Sequence, residues 1–186
     1  MNRQHSRRTD EWGTPSSIID LARAVLGTID LDPASDAHFN KTVDAYYHFS
    51  KEDGDSLTRP WLTPAAPTET TIFLNPPGGK TCNKSNVVLF WQKLMDEVDA
   101  GHVKHAIFMG FSIECLQTTQ QCSRSIAAYP ICIPRKRIKF AAKNGTYNAP
   151  SHSNVIVYVP GTVDETERFI STFQGVGMCK KKKKKQ

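Results

Sequence analysis

Asn75, Pro76, Pro77 and Gly78 are the residues whose types and order most directly suggest chemistry in this chain. They follow Thr71-Ile72-Phe73-Leu74, an apolar run rich in β-branched and aromatic residues that reads as a short buried strand. Prolines lack the N–H donor a ladder needs, so the strand must stop there. Their rigid φ also aims main-chain carbonyls without a competing donor, and the Asn75 side chain adds a second kind of acceptor. Gly78 and Gly79 let the backbone turn sharply and a ligand come close. In open α/β sheets ligands sit at the carboxyl ends of strands, where this tetrapeptide falls. A strand followed by a plain Pro-Gly turn is the competing reading, and four residues do not decide between them.

The elements that must position this turn are legible on both sides of it. Thr14 suits an N-cap, Pro15 the first helical position and Gly27 a stop, while Ile18, Leu21, Ala22, Val25 and Leu26 make one apolar face. Thr28 to Ser35 reads as a short strand with an acidic end at Asp32, followed by a turn of small residues. Residues 36–61 are loop-like with interspersed aromatics and the acidic cluster Glu52-Asp53-Gly54-Asp55, and 62–69 form a Pro-rich surface loop. Lys80 to Asn86 is a polar loop, and Val87 to Ala100 is periodic and ends at Gly101, which predicts a helix. Val103 to Phe111 predicts a strand and Ser112 to Ser123 a helix capped by Ser112. Ala127 to Ile133 and Arg137 to Ala142 read as strands flanking a basic run. Lys143 to Ser153 reads as a loop, Asn154 to Val159 as a strand and Asp164 to Phe173 as a closing helix. β-α alternation followed by late strands argues an α/β domain, doubly wound, with helices on both faces. Residues 1–9 are a flexible basic N-terminus in this reading, 10–175 the single domain and 176–186 a disordered lysine-rich tail.

Composition narrows the class. A chain of 186 residues is long enough for one domain with a real core. No apolar run approaches the roughly 18 residues of a membrane span, and no signal peptide is expected before the first polar stretch. The net charge of +6 is carried by Lys180 to Lys185, since the remaining 18 basic residues balance 18 acidic ones. Five cysteines (Cys82, Cys115, Cys122, Cys132, Cys179) form no C-x-x-C pair and no zinc spacing, so reduced thiols and no metal are expected. His102 and His105 fall across a helix end and do not read as ligands.

Asn-Pro-Pro after a strand resembles the [DNS]-P-P-[YFW] motif of amino-methyltransferases, which move a methyl group from S-adenosylmethionine to a nitrogen conjugated to a π-system. The resemblance implies that the Asn75 carbonyl and the carbonyl before the second proline accept the two N–H bonds of that nitrogen, freeing its lone pair for attack. The ordered set W-x-T-P, L-D-P-A-S, E-D-G-D-S-L-x-x-P-W and N-P-P is similar to the phage and prophage DNA N6-adenine methyltransferase family, the Dam-like group, over roughly residues 10 to 160.

That resemblance implies a Rossmann-like S-adenosylmethionine-dependent methyltransferase sheet and a site-specific, adenine-specific enzyme. Asn75, Pro76, Pro77 and Gly78 would be catalytic, with double-stranded DNA as partner and extrusion of the target base. Trp12, Thr14 and Pro15 would lie beside the methionine part of the cofactor. Asp32 would serve its methionine or ribose end, with Pro33, Ala34 and Ser35 turning beneath. Asp55, with Asp53 as competitor, would accept from the cofactor's adenine amine, because a carboxylate only accepts and N6 donates. Two departures stand out: Pro33 replaces a small residue, and Gly78 stands where the family usually has an aromatic that stacks on the base. Phe111 or Phe140 is the substitute to look for. Arg135, Lys136, Arg137, Lys139 and Lys143 form the basic cluster inside the fold, suited to phosphates or simply a solvated charged turn. His152 is structural or a target contact. Cytosine N4, RNA adenine and protein glutamine remain alternative targets, and a non-catalytic nucleic-acid-binding protein of the same fold is the other class. The compartment expected from the resemblance is the cytoplasm of a bacterial or phage-infected cell.

Overall fold

The computed structural model describes residues 12–50, 55–148, 152–160 and 163–181. The readings made on residues 1–9, on Asp53 and on the end of the lysine run lie outside the described residues.

The described chain runs α1 (Ser16–Leu26), β1 (Leu31–Asp32), α2 (Asn40–Val43), β2 (Tyr47–His48) and β3 (Thr70–Leu74). A small hairpin of β4 (Lys80–Thr81) and β5 (Lys84–Ser85) leads into α3 (Asn86–Asp99), then β6 (Val103–Gly110) and α4 (Cys115–Thr118). There follow β7 (Ile131–Pro134), a hairpin of β8 (Phe140–Ala141) and β9 (Tyr147–Asn148), β10 (Val155–Val159), α5 (Val163–Phe173) and β11 (Gly177–Lys180). Seven strands form one sheet in the order β2-β1-β3-β6-β10-β7-β11. β2, β1, β3 and β6 are parallel to one another, whereas β10 runs antiparallel to both β6 and β7, and β11 antiparallel to β7. Five of the seven strands therefore point one way, and the structure is a mixed α/β fold with a mostly parallel sheet.

Period-2 alternation along the central strands divides the core between two faces. Ile72, Leu74, Ala106, Phe108, Val155 and Val157 pack with Phe90, Trp91, Leu94 and Met95 of α3. Phe73, Ile107, Met109, Ile156 and Tyr158 pack on the other face with Ile18, Ile19, Ala22 and Val25 of α1 and Phe169 and Phe173 of α5. Helices thus cover both faces, as the strand and helix patterns anticipate. Gly27 ends α1 at φ 78°, a left-handed value that glycine adopts without strain.

Several expectations need correction. Thr14 does not cap α1: the helix begins at Ser16 with Pro15 in the capping position and no side-chain capping bond. The loop expected over 36–61 contains α2 and β2, and β2 pairs with β1 in parallel; two residues of mixed polarity leave no periodic trace. The polar loop Lys80 to Asn86 folds as the β4–β5 hairpin around Cys82 and Asn83, both at positive φ. The helix expected from Ser112 is broken into α4 and a 3₁₀ turn at Thr119–Gln121, with Glu114 preceding α4 as its cap. Thr119 explains the break, because its hydroxyl donates to the Cys115 carbonyl (2.6 Å) and accepts from the Ile126 amide (3.2 Å). Disorder expected from 176 onward is not what the described part of that segment shows, since Gly177–Lys180 is the edge strand paired with β7. The lysine run dominates the composition there and hides Met178 and Cys179.

Candidate active site

The chain moves from β1 outward to β2 and then returns to the other side of β1 to build β3 and β6. Neighbouring strands diverge in this way at a topological switch point, and the crevice beyond their carboxyl ends is where open sheets bind ligands. Asp32 closes β1 and Asn75 follows directly on β3, so the two residues flank that crevice.

A pocket opens at this point, lined by Trp12, Gly13, Thr14, Asp32, Ala34, Ser35, Phe39, Val43 and Asn75. It brings together residues from the segment before α1, the turn after β1, helix α2 and the end of β3. Its volume of about 240 Å³ includes open solvent.

The Asn75 amide is oriented by its partner. Nδ2 donates to the Trp12 carbonyl at 3.1 Å, and only the nitrogen end can do so. The oxygen end is left for an incoming donor. Pro76 is buried, Pro77 and Gly78 are half-buried, and none of the three lines the pocket wall. The turn they make is pinned from behind by Asn86, the first residue of α3. Its Nδ2 donates to the Gly78 carbonyl (2.8 Å), its amide donates to the Gly79 carbonyl (3.1 Å), and its Oδ1 accepts from the Thr81 hydroxyl (2.7 Å). Asn86 is buried and was not anticipated; a lone polar residue opening an otherwise apolar helical stretch is the only signal for it.

Asp32 is 3% exposed. Burial pushes its carboxyl from the usual 3.8 up to about 7. The Ala34 amide, donating to Oδ1 at 3.1 Å, and the Ser35 hydroxyl pull the other way, and the nearby Asp36 charge adds to the rise. Thr14 is equally enclosed, and its Oγ1 is buried with no hydrogen-bond partner among the described residues. A buried polar atom without a partner is rare in a finished interior, and this one belongs to a residue of the pocket wall. Pro15 and Pro33 adjoin lining residues in sequence without forming part of the wall.

The segment from Trp12 to Thr14 is fastened by the β8–β9 hairpin. Gly13 and Ala141 exchange both backbone hydrogen bonds (2.8 and 2.9 Å), and the Lys143 ammonium lies 2.8 Å from Asp36 and over the Phe39 ring. Burial alone would raise the Asp36 carboxyl, but hydrogen bonds from Lys143 and the Phe39 and His38 amides hold it below the usual value. Gly13 is a close-approach glycine, because a Cβ there would sit 2.4 Å from the Phe39 ring. Gly13→Ala is therefore expected to destabilise the fold by about 1–3 kcal/mol through overpacking, measurable by urea denaturation. Gly13, Phe39 and Val43 were not anticipated as site residues; Phe39 and Val43 sit in a stretch that reads as loop.

Asp55 is not part of the pocket. It is exposed in the loop after β2, and its carboxylate accepts from the Leu57 amide at 2.9 Å, closing its own turn. The rest of that motif anchors the loop. Trp61 is fully buried, stacks on Phe90, donates from Nε1 to the Ser56 carbonyl (2.8 Å), and its amide donates to Glu97 (3.1 Å).

The basic cluster divides by role. The Arg135 guanidinium donates to the Gly175 and Gln174 carbonyls (3.0 and 3.3 Å) beyond α5, and Lys143 is engaged with Asp36. Lys136, Arg137 and Lys139 are exposed, just past the end of β7 on the same edge of the sheet as Asn75. Among the described residues, no helix is long and apolar enough to cross a membrane, and no group of three or more His, Cys, Asp or Glu side chains is placed to hold a metal.

Comparison with family models, with curated proteins and with solved structures finds no match to this chain.

Proposed function

We propose that the chain is an S-adenosylmethionine-dependent DNA methyltransferase acting on adenine N6, with a Rossmann-like methyltransferase sheet. The observation that carries this reading is the meeting of Asn75, Asp32 and Thr14 in one pocket at the switch point, with the Asn75 amide turned so that its oxygen is available. The residues fit a cofactor with a charged, hydroxyl-rich body. Asp32 can accept from its ammonium or hydroxyl groups, and Thr14 Oγ1 is a buried hydroxyl in want of a partner. When bound, the cofactor supplies a methyl group on a positively charged sulfur.

The chain's own work is positioning and polarisation. The Asn75 Oδ1 and the Pro76 carbonyl accept the two N–H bonds of the target amine, which withdraws its lone pair from the ring and points it at the methyl carbon. Trp12 keeps the Asn75 amide from flipping, and Asn86 keeps the turn behind it in place. As the amine nitrogen bonds to the methyl carbon, the bond from that carbon to the cofactor sulfur would break and its electron pair would return to sulfur, leaving the neutral thioether S-adenosylhomocysteine; the nitrogen then releases one proton to solvent. Asp55 closes a structural turn outside this pocket.

Tritiated S-adenosylmethionine offered in parallel to mixed-sequence DNA, RNA and cell protein tests the substrate class, with label expected in DNA. Label confined to RNA or protein would move the reading to another amino-methyltransferase, and no transfer at all would end it. Double-stranded DNA would be held by Lys136, Arg137 and Lys139. Replacing all three by Ala is expected to shrink the log–log salt slope of DNA binding by roughly 2–3 units, at about 0.9 per phosphate contact, with the cofactor affinity unchanged. Arg135 is left intact in that variant because of its bonds to Gln174 and Gly175.

A further inference from the structure

A base drawn out of a duplex loses its stacking and needs a flat apolar face in the protein to replace it. The Asn-Pro-Pro-Gly turn presents acceptors but no ring, because Gly78 has no side chain and Pro76 is buried. Among the described residues the exposed large hydrophobics are Tyr46, Tyr47, Phe111, Ile113, Tyr147 and Met178. Their places in the sheet separate them. Tyr46 and Tyr47 lie at the start of the edge strand β2, Met178 lies on the opposite edge strand β11, and Tyr147 lies on the β8–β9 hairpin outside the main sheet. Phe111 directly follows β6, the strand next to β3, at the carboxyl edge where Asn75 stands. Phe140 is excluded, being 5% exposed and part of the core beneath α1, and Trp12 packs against that same core.

Register fixes how far Phe111 stands from the turn. Leu74 pairs with Phe108, so Asn75 is one step and Phe111 three steps beyond that pair. Were both strands continued at about 3.3 Å per residue and 4.8 Å apart, the two Cα atoms would be ~8 Å apart along the edge. The Phe111 backbone is held in place: its carbonyl accepts from Asn154 Nδ2 (3.2 Å), and the Ile113 amide donates to the Ser153 carbonyl (2.8 Å). Asn154 is 1% exposed, and its Oδ1 accepts from the Ile138 amide (3.2 Å). Phe111 as a whole is 37% exposed and belongs to neither core cluster, and its ring is met edge-on by His152 at 5.8 Å. Phe111 thus stands on an anchored backbone with part of its surface open at the carboxyl edge of the sheet, outside both core clusters.

We propose that Phe111 is the residue on which the extruded target base stacks, with His152 as the positioning residue that backs its ring. This rests on the methyltransferase reading given above. It assigns the stacking face to the end of β6 and leaves the Asn-Pro-Pro-Gly turn to hold only the amine.

Wild type, Phe111→Ala and Phe111→Trp are compared for label transfer from tritiated S-adenosylmethionine into mixed-sequence duplex DNA, with cofactor binding by calorimetry and thermal unfolding measured on each. Phe111→Ala is expected to lower kcat/KM for DNA by about 5- to 150-fold, the loss of one base–aromatic stack. Cofactor affinity and unfolding midpoint should stay put, and Phe111→Trp should restore transfer. Transfer by Phe111→Ala at the wild-type rate would overturn the stacking role while leaving the methyltransferase reading intact. A loss shared equally by cofactor binding, or not restored by Trp, would overturn it as well. A wild type that labels no DNA would bring down the reading itself and this inference with it.

Discussion

Asn75→Ala is expected to lower the single-turnover rate of methyl transfer by about 10²–10³, the usual effect of removing one preorganised polar partner of a transition state. The effect should fall on kcat more than on KM. Asn75 Oδ1 contributes most as the amine nitrogen leaves the plane of its ring, and little while the base is merely bound. Fold and cofactor binding should survive, since Asn75 is half-buried and its one inward bond is to the Trp12 carbonyl. Asn75→Asp separates the two uses of the side chain. A carboxylate still accepts from the amine but cannot donate to Trp12, so its activity should lie between wild type and Asn75→Ala. Saturating cofactor and DNA in a rapid-quench assay isolates the chemical step.

Cofactor affinity is expected to fall as pH drops below 7, approaching tenfold per pH unit. Burial raises the Asp32 carboxyl to about 7, so in the free protein the group is largely protonated below that value and ionised above it. The ammonium and hydroxyl groups of the proposed cofactor are donors, which only the carboxylate form accepts. Affinity should therefore be flat above pH 7 and decline below it; the reverse slope would mean that the protonated acid is the binding form. Asp32→Asn should bind weakly with no such pH dependence. The same burial has a stability consequence of opposite sense. A raised acid favours folding fully below pH 3.8 and loses that contribution as pH rises to about 7. Ligand-free Asp32→Asn should accordingly be more stable than wild type at neutral pH, a trade of stability for binding common at functional sites. Calorimetric titration across pH 5–9 and urea denaturation at the same values test both halves.

How much of this was legible beforehand depends on whether a residue acts through its own element or through a distant one. β3, β6, β10, α1, α3 and α5 are readable because long apolar runs and 3.6-residue periodicity are local signals. Asn75 and Asp32 are legible as candidates because one follows directly on a strand and the other closes one, and a polar residue at such a point is a local mark. Asn86 and Gly13 are not, because their importance lies in partners far along the chain: the Gly78 carbonyl for one, the Phe39 ring and Ala141 for the other. The partners of Arg135 were hidden for the same reason. In the sequence it belongs to a basic run, and in the fold it is bound to the carbonyls past α5. β2 and β11 are short strands whose identity comes from the neighbour they pair with, β1 and β7, and no window of their own residues contains that.

The most direct test of the central claim is the identity of the product. Wild-type protein is incubated with isotopically labelled S-adenosylmethionine and unmethylated mixed-sequence DNA, the DNA is digested to nucleosides, and the labelled species is identified by mass spectrometry. Label is expected in N6-methyldeoxyadenosine, with about 10²–10³-fold less of it formed in the same early interval by Asn75→Ala. Label in N4-methyldeoxycytidine instead, no labelled nucleoside at all, or equal N6-methyldeoxyadenosine from Asn75→Ala would contradict the claim.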